Sequence, residues 1–273
     1  MVATPPDAPD GIAPRSPEDF DANLQPLQDQ WRSALDDLLS RWPDLQAPWE
    51  EDLLGQLQHA VLSGDMHALA GILPDLDPVP GEIEDALYDL ARQAGEHTRS
   101  QAADQDIELP SASLGRAWLA GVATVSAATL GAGLAMSTIR EGMRAWGRGS
   151  TATRVADQVR IRLDELTTAQ PEYVLGGAMT AAQHYGRMLT ARGGPGAALY
   201  ADEILDNRTC KYCRAVHRRW LGNLEDPSEP WTLTYPVRGY VDCLGHDRCR
   251  GQIVYVWRGG TDWTKWVEKE PLR

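Results

Sequence analysis

Apolar side chains fall at Ile83, Leu87, Leu90 and Ala94, with Glu82, Glu84, Asp85 and Asp89 between them. Spacings of three and four residues draw one stripe along a 3.6-residue helix, so this pattern predicts an amphipathic helix running to about residue 102. Upstream, "DFDANLQPLQDQWRSALDDLLSRW" reads as a helix stopped at Pro43, and "PWEEDLLGQLQHAVLSG" as a second one stopped at Gly64. Proline lacks the N–H that a helix interior needs, and glycine is the usual residue just past a helix end. "PDLDPVPG" (74–81) reads as a linker. Two further helices follow, one over 151–166 and one from near Thr168, with Pro171 in its first turn and Leu175, Met179 and Ala182 on its apolar face. "RGGPGAA" (192–198) breaks that pattern. "LYADEIL" and "GQIVYVWRG" are expected to be strands, by their β-branched and aromatic content.

Residues 117–139, "AWLAGVATVSAATLGAGLAMSTI", are uncharged and flanked by Arg116 and Arg140. Twenty-three such residues are long enough to cross a bilayer as a helix. Only eight are large and apolar, however, against seven Ala, three Gly and five Ser or Thr. That is thin for stable insertion, and a long helix packed against other helices or subunits is expected. A membrane-active segment is kept as the rival reading.

The expected fold class is mainly α: a helical body followed by a small α+β C-terminal module. The divisions are a disordered or extended proline-rich arm (1–18), an acidic helical region (19–109), a long-helix body (110–196), a cysteine module (197–260) and a tail (261–273). Residues 1–100 carry 20 acidic and 5 basic side chains, whereas the remainder is nearly neutral with 19 and 21. This asymmetry argues against a general nucleic-acid coat, which needs a broad positive surface to displace counterions. "MVATPPDAPDGIAPRSPEDF" has no basic n-region and no continuous apolar run, so a reducing cytosol is expected. Four cysteines there point to metal ligation before disulfides.

Cys210 and Cys213 form a C-x2-C pair, and Cys243 and Cys249 a C-x5-C pair after 29 intervening residues. A C-x2-C turn puts two sulfurs on one side of a tight knuckle, and a second knuckle would complete a tetrahedron around zinc. The expected metal ligands are Cys210, Cys213, Cys243 and Cys249, with His246 or His217 as the alternate fourth. Four thiolates leave no open position for water, so the ion would hold the fold and not catalyse. Free or disulfide-paired thiols are the plain alternative. A thioredoxin-like redox role lacks the upstream parallel-sheet pattern, and a nuclease built on His246 and Asp247 rests on a common dipeptide. Arg208, Lys211, Arg214, Arg218 and Arg219 form a weak basic patch that suits either phosphate contact or plain solvation.

The run "YADEILDNRTCKYCRAVH", with "YPVRGYVDCLGHDRCRGQIVYVW" after it, resembles the C-terminal module of the phage Mu F-like minor head, or head morphogenesis, proteins, in the form found in phages of actinobacteria. Asp206, Arg208, Thr209, Cys210, Cys213, Tyr235, Pro236, Gly239, Tyr240, Cys249 and Arg250 fall on the family pattern. The helix carrying "GAMTAAQHYGR" is similar to the segment that precedes it. Relatives tend to end His-Pro-x-Cys-Arg-Cys. This chain keeps His246, Cys249 and Arg250, has Asp247 and Gly251 at the other two places, and has Cys243 as a substitute thiol. Where relatives tend to have Asp-Gly it has His217-Arg218. The resemblance covers roughly 170–258. It implies a non-enzymatic minor capsid protein of the virion, at the capsid interior or portal vertex, made in the bacterial host cytoplasm and associating with the portal or major capsid protein in head assembly or DNA delivery. Asp206 and Arg208 are expected to brace the knuckle, with Thr209 and Arg250 as motif residues. The rivals are a zinc-stabilised module binding phage DNA through the arginines, and a membrane-active ejection protein using 117–139.

Overall fold

The computed structural model describes residues 17–166, 169–207, 209–224, 244 and 251–257. Seven helices and three strands follow in chain order among them: α1 (Pro17–Ser63), α2 (Met66–Ala70), α3 (Val79–Ala103), α4 (Arg116–Gly147), α5 (Ala152–Leu166), α6 (Ala169–Arg192), β1 (Ala197–Asp202), α7 (Lys211–Val216), β2 (Trp220–Asn223) and β3 (Gln252–Trp257). The fold is mainly helical with a small antiparallel sheet. The arm expected over 1–18 lies outside the described residues up to 16, and Pro17 and Glu18 already belong to α1. The tail (261–273) also lies outside them.

The break expected at Pro43 is not there: α1 is one helix of 47 residues that passes through Pro26, Pro43 and Pro48. A proline inside a helix costs about 3 kcal/mol in lost hydrogen bonding and crowding. The apolar stripe offsets this, because it keeps helical phase across the prolines: Leu35, Leu38, Trp42, Trp49, Leu53 and Leu57 are all buried. Trp42 and Trp49 meet edge to face, with centroids 5.9 Å apart at 84°. Gln46 accepts the Trp42 indole N–H at 2.6 Å and donates onward to Glu50. The two buried indoles, together with the leucines of the stripe, offset the backbone bonds lost at the three prolines.

The chain divides into two compact units, each drawn from separate stretches of sequence. One takes Leu35–Ala86 and Arg116–Gly176. In it, α4 pairs with α5 and sets small residues against bulky neighbours: Gly142 faces Leu57, and Gly131 faces Pro74 and Leu76. The loop between α2 and α3 has its backbone satisfied by α1 side chains. Gln56 exchanges two hydrogen bonds with the Leu73 main chain at 2.7 and 3.2 Å, and Asp52 accepts from Asp75 N–H at 3.1 Å. Among the described residues, α4 is long and apolar enough to span a membrane, and 44% of its apolar window is buried.

The other unit takes the described residues up to Ala34, Leu87–Gly115 and those from Gly177 onward. Its sheet has the order β2-β1-β3, antiparallel throughout, with Leu199 opposite Tyr255 and Ala201 opposite Ile253. One face (Leu199, Ala201, Leu221, Ile253, Tyr255, Trp257) packs on Ala102, Leu109, Ala191, Cys213 and Val216. The other face, with Tyr200, Trp220, Val254 and Val256, is buried too. Burial on both sides explains why β1 and β3 read as continuous apolar runs without alternation. Here α3 crosses α6 with almost no space between them: a Cβ on Gly186 would lie 1.9 Å from the Ala91 carbonyl oxygen, and one on Gly95 would lie 2.7 Å from Thr190 Oγ1.

Candidate functional site

Strand β1 delivers the chain into a turn over residues 206–209 that begins the cysteine motif. The Thr209 hydroxyl accepts the Asp206 N–H at 2.7 Å and points back at the Ile204 carbonyl, with the Asp206 carboxylate 3.1 Å away. Thr209 N–H donates to the Asp206 carbonyl at 3.2 Å. An Asx/ST turn of this kind gives backbone groups partners without secondary structure. Arg214, from α7, donates to the Asp206 and Thr209 carbonyls. Asp206 and Thr209 thus hold the turn ahead of Cys210, and Arg214 ties α7 to it. Thr209→Val keeps the shape and removes the hydroxyl. It is expected to cost about 1–2 kcal/mol in urea unfolding, because the Asp206 N–H and Ile204 carbonyl lose their partner.

Cys210 is the N-cap of α7, with its sulfur accepting from the Cys213 N–H at 3.4 Å. Burial pushes the thiol up, but the N–H groups of Cys213 and Leu244, the Cys213 thiol and the N–H of Tyr212 act the other way, so Cys210 lies below its ordinary value. Hydrogen bonds to sulfur favour the charged form, which is the form that ligates metal. Leu244 follows Cys243 directly in the chain. Leu244 is therefore among the groups that hold the Cys210 thiol below its ordinary value. Cys213 is buried at the sheet side of α7.

Cys243, His246, Cys249, Arg208 and Arg250 lie outside the described residues. Among the described residues no group of three or more metal-ligating side chains comes together. His217, the other alternate ligand, caps α7, and its Nδ1 accepts the Glu203 N–H at 3.0 Å, 3.4 Å from the buried Asp202 carboxylate. That nitrogen is committed to the fold. Of the basic residues, Lys211 is exposed and lies over the Tyr212 ring at 4.9 Å. Arg219 donates to the Ala215 carbonyl at 2.9 Å. Arg218 has a φ of 59° and donates its N–H to the Ala201 carbonyl at 2.7 Å, closing the turn from α7 into β2.

A second polar constellation was not foreseen. Arg187 on α6 is 1% exposed, and its guanidinium donates to Thr98 Oγ1 (3.3 Å), Gln101 (3.2 Å) and Gln252 (3.1 Å), 5.2 Å from the Tyr255 ring centroid. Gln252 donates to Gln183 at 2.7 Å, and Gln183 donates to the Leu27 carbonyl at 2.8 Å. His184 is paired with the Gly251 carbonyl at 3.2 Å. These bonds tie α1, α3, α6 and β3 together within one unit. The available signal was three polar side chains, Gln183, His184 and Arg187, in the "GAMTAAQHYGR" stretch, where small residues let neighbours close on every side. Comparison with family models, curated proteins and solved structures yields no match.

Proposed function

We propose that this is a non-enzymatic minor capsid or head morphogenesis protein of a tailed phage, associating with the portal or major capsid protein through its helical body. The observation that carries the reading is the built form of the motif. Asp206 and Thr209 lock the turn before Cys210, and the Leu244 N–H helps hold the Cys210 thiol below its ordinary value. This is how a cysteine module would close its two loops on each other. The turn after α7 gives independent support. Arg218 occupies left-handed backbone, which glycine enters without cost, and glycine is what the Mu F-like pattern tends to carry there.

The donor chemistry at Cys210 suits zinc. Cys210, Cys213, Cys243 and Cys249 would hold the ion, with His246 as alternate, and it would supply closure of the fold at of order 10 kcal/mol. Elemental analysis of the purified full chain is expected to give close to one zinc per chain. The metal should be lost in Cys210→Ser and Cys243→Ser and kept in His246→Ala. Full-length chain with no metal and four titratable thiols would remove the knuckle. For the capsid assignment, quantitative mass spectrometry of gradient-purified virions should find the chain at a few copies per particle, and its absence there would sink that assignment. The nucleic-acid reading is the weaker one, because Arg214 and Arg219 spend their guanidinium groups on main-chain carbonyls.

A further inference from the structure

The helix α4 has two faces. Its buried face follows Leu119, Ala123, Ser126, Leu130, Leu134 and Thr138. Roughly opposite runs a second stripe at spacings of three, four and seven: Trp118, Val125, Ala128, Ala132, Met136 and Met143. These side chains are exposed, Val125 by 58% and Met136 by 65%. Uncovered apolar residues scattered singly need no explanation, but a continuous stripe along an uncharged segment does.

We infer that this stripe is the interface between two copies of the chain, joined by antiparallel α4 helices about a two-fold axis near residues 130–131. The first argument is shape. In that register Ala128 lies beside Ala132 of the second copy, where small residues let the helix backbones approach. Outward from this centre Val125 meets Met136 of the second copy, and Trp118 meets its Met143. Each bulky residue therefore faces one it can pack against, and symmetry makes every contact twice.

The second argument is charge. At the start of α4, Arg116 is held by Glu84 at 3.1 Å and by Asp85 at 2.9 Å, so that end carries a net negative cluster. At the other end Arg140 and Arg144 share the single Glu141, at 3.8 and 2.7 Å, and Arg148 follows, so that end is net positive. Antiparallel pairing sets the acidic end of each copy beside the basic end of the other, and it opposes the helix dipoles favourably. A lipid surface is the poorer occupant, because an anionic bilayer would meet the acidic end as well as the basic one. The inference is independent of the phage reading.

Sedimentation equilibrium of the full chain is expected to show a monomer–dimer equilibrium at micromolar concentration. Ala132→Glu, which puts a charge on an exposed helix position at the axis, should raise the dissociation constant about 100-fold or more while leaving the far-UV circular dichroism unchanged. Trp118→Ala provides a second variant and should weaken association at least about 10-fold. Mixed Val125→Cys and Met136→Cys chains, oxidised and mapped by mass spectrometry, should give 125–136 disulfides in preference to 125–125. A monomer at every concentration overturns the inference, as does a dimer indifferent to both variants or a dominant 125–125 link. So does a chain that stays monomeric in buffer and floats with vesicles of phosphatidylcholine and phosphatidylglycerol, which would make lipid the occupant.

Discussion

Gly186→Ala is expected to destabilise the chain by about 3 kcal/mol or more, the largest effect of any single added methyl group. The added Cβ would stand 1.9 Å from the Ala91 carbonyl oxygen, 2.6 Å from its carbon and 2.8 Å from Ala91 Cα. All three are backbone atoms of α3, so no rotamer change relieves the clash, and the two helices must separate. Separation would also stretch the bonds from Arg187 to Thr98 and Gln101, which span the same crossing. Gly95→Ala should cost less, about 1–2 kcal/mol, because its nearest obstacle is the Thr190 hydroxyl, which can rotate away. Gly55→Ala meets nothing within 4 Å and should gain a few tenths of a kcal/mol from helix propensity. Urea unfolding of the three variants, followed by circular dichroism, tests the ordering. A Gly186→Ala protein within about 0.5 kcal/mol of wild type would refute so close a crossing.

The second large effect is acid sensitivity set by one histidine. His184 is fully enclosed, and burial, with the Arg187 charge in support, pushes it down to about 3 against the pull of the Gly251 carbonyl. It is therefore neutral in the folded chain, with its proton on Nε2 facing that carbonyl. Above pH 6.5 neither the folded nor the unfolded form carries the extra proton, and the group does not affect stability. Below 6.5 the unfolded chain takes up a proton that the folded chain refuses, so stability falls as pH drops from about 6.5 toward 3. The expected loss is about 1.4 kcal/mol per pH unit, or roughly 2 kcal/mol between pH 6.5 and 5, before most carboxylates titrate. His184→Gln can still donate to the Gly251 carbonyl but cannot gain a charge. It should flatten the stability profile over that window, and an unchanged slope in the variant would refute the assignment.

The difference between what could be read along the chain and what could not follows the range of the forces involved. The body of α3 and its end near residue 102 were legible because its stripe and its acidic outer face are local, but the helix begins at Val79, inside the stretch 74–81 expected to be a linker. Helix α5, the start of α6 beside Pro171, and the β-branched run of β3 were legible for the same reason. The first half of the cysteine module was equally plain, since Asp206, Thr209, Cys210 and Cys213 interact across only a few residues. The short elements α7 and β2 carry too few residues to show a period and passed unnoticed.

Local order therefore settled that the longer segments are helical, where α5 and α6 begin, and that two thiols share one turn. Tertiary structure alone decided that α1 passes through Pro43, because the offset comes from the burial of Trp42 and Trp49, which the rest of the fold must supply. It alone placed Gln183, His184 and Arg187 inside: the apolar face of α6 was visible in its periodicity, but enclosure on every side depends on α3 and β3, more than 60 residues away in either direction. It also decided that each compact unit gathers separate stretches of chain. A periodic pattern reports one element's preference for a buried side, whereas the partners that bury it, and the polar groups they must satisfy, are set by contacts that no local window contains.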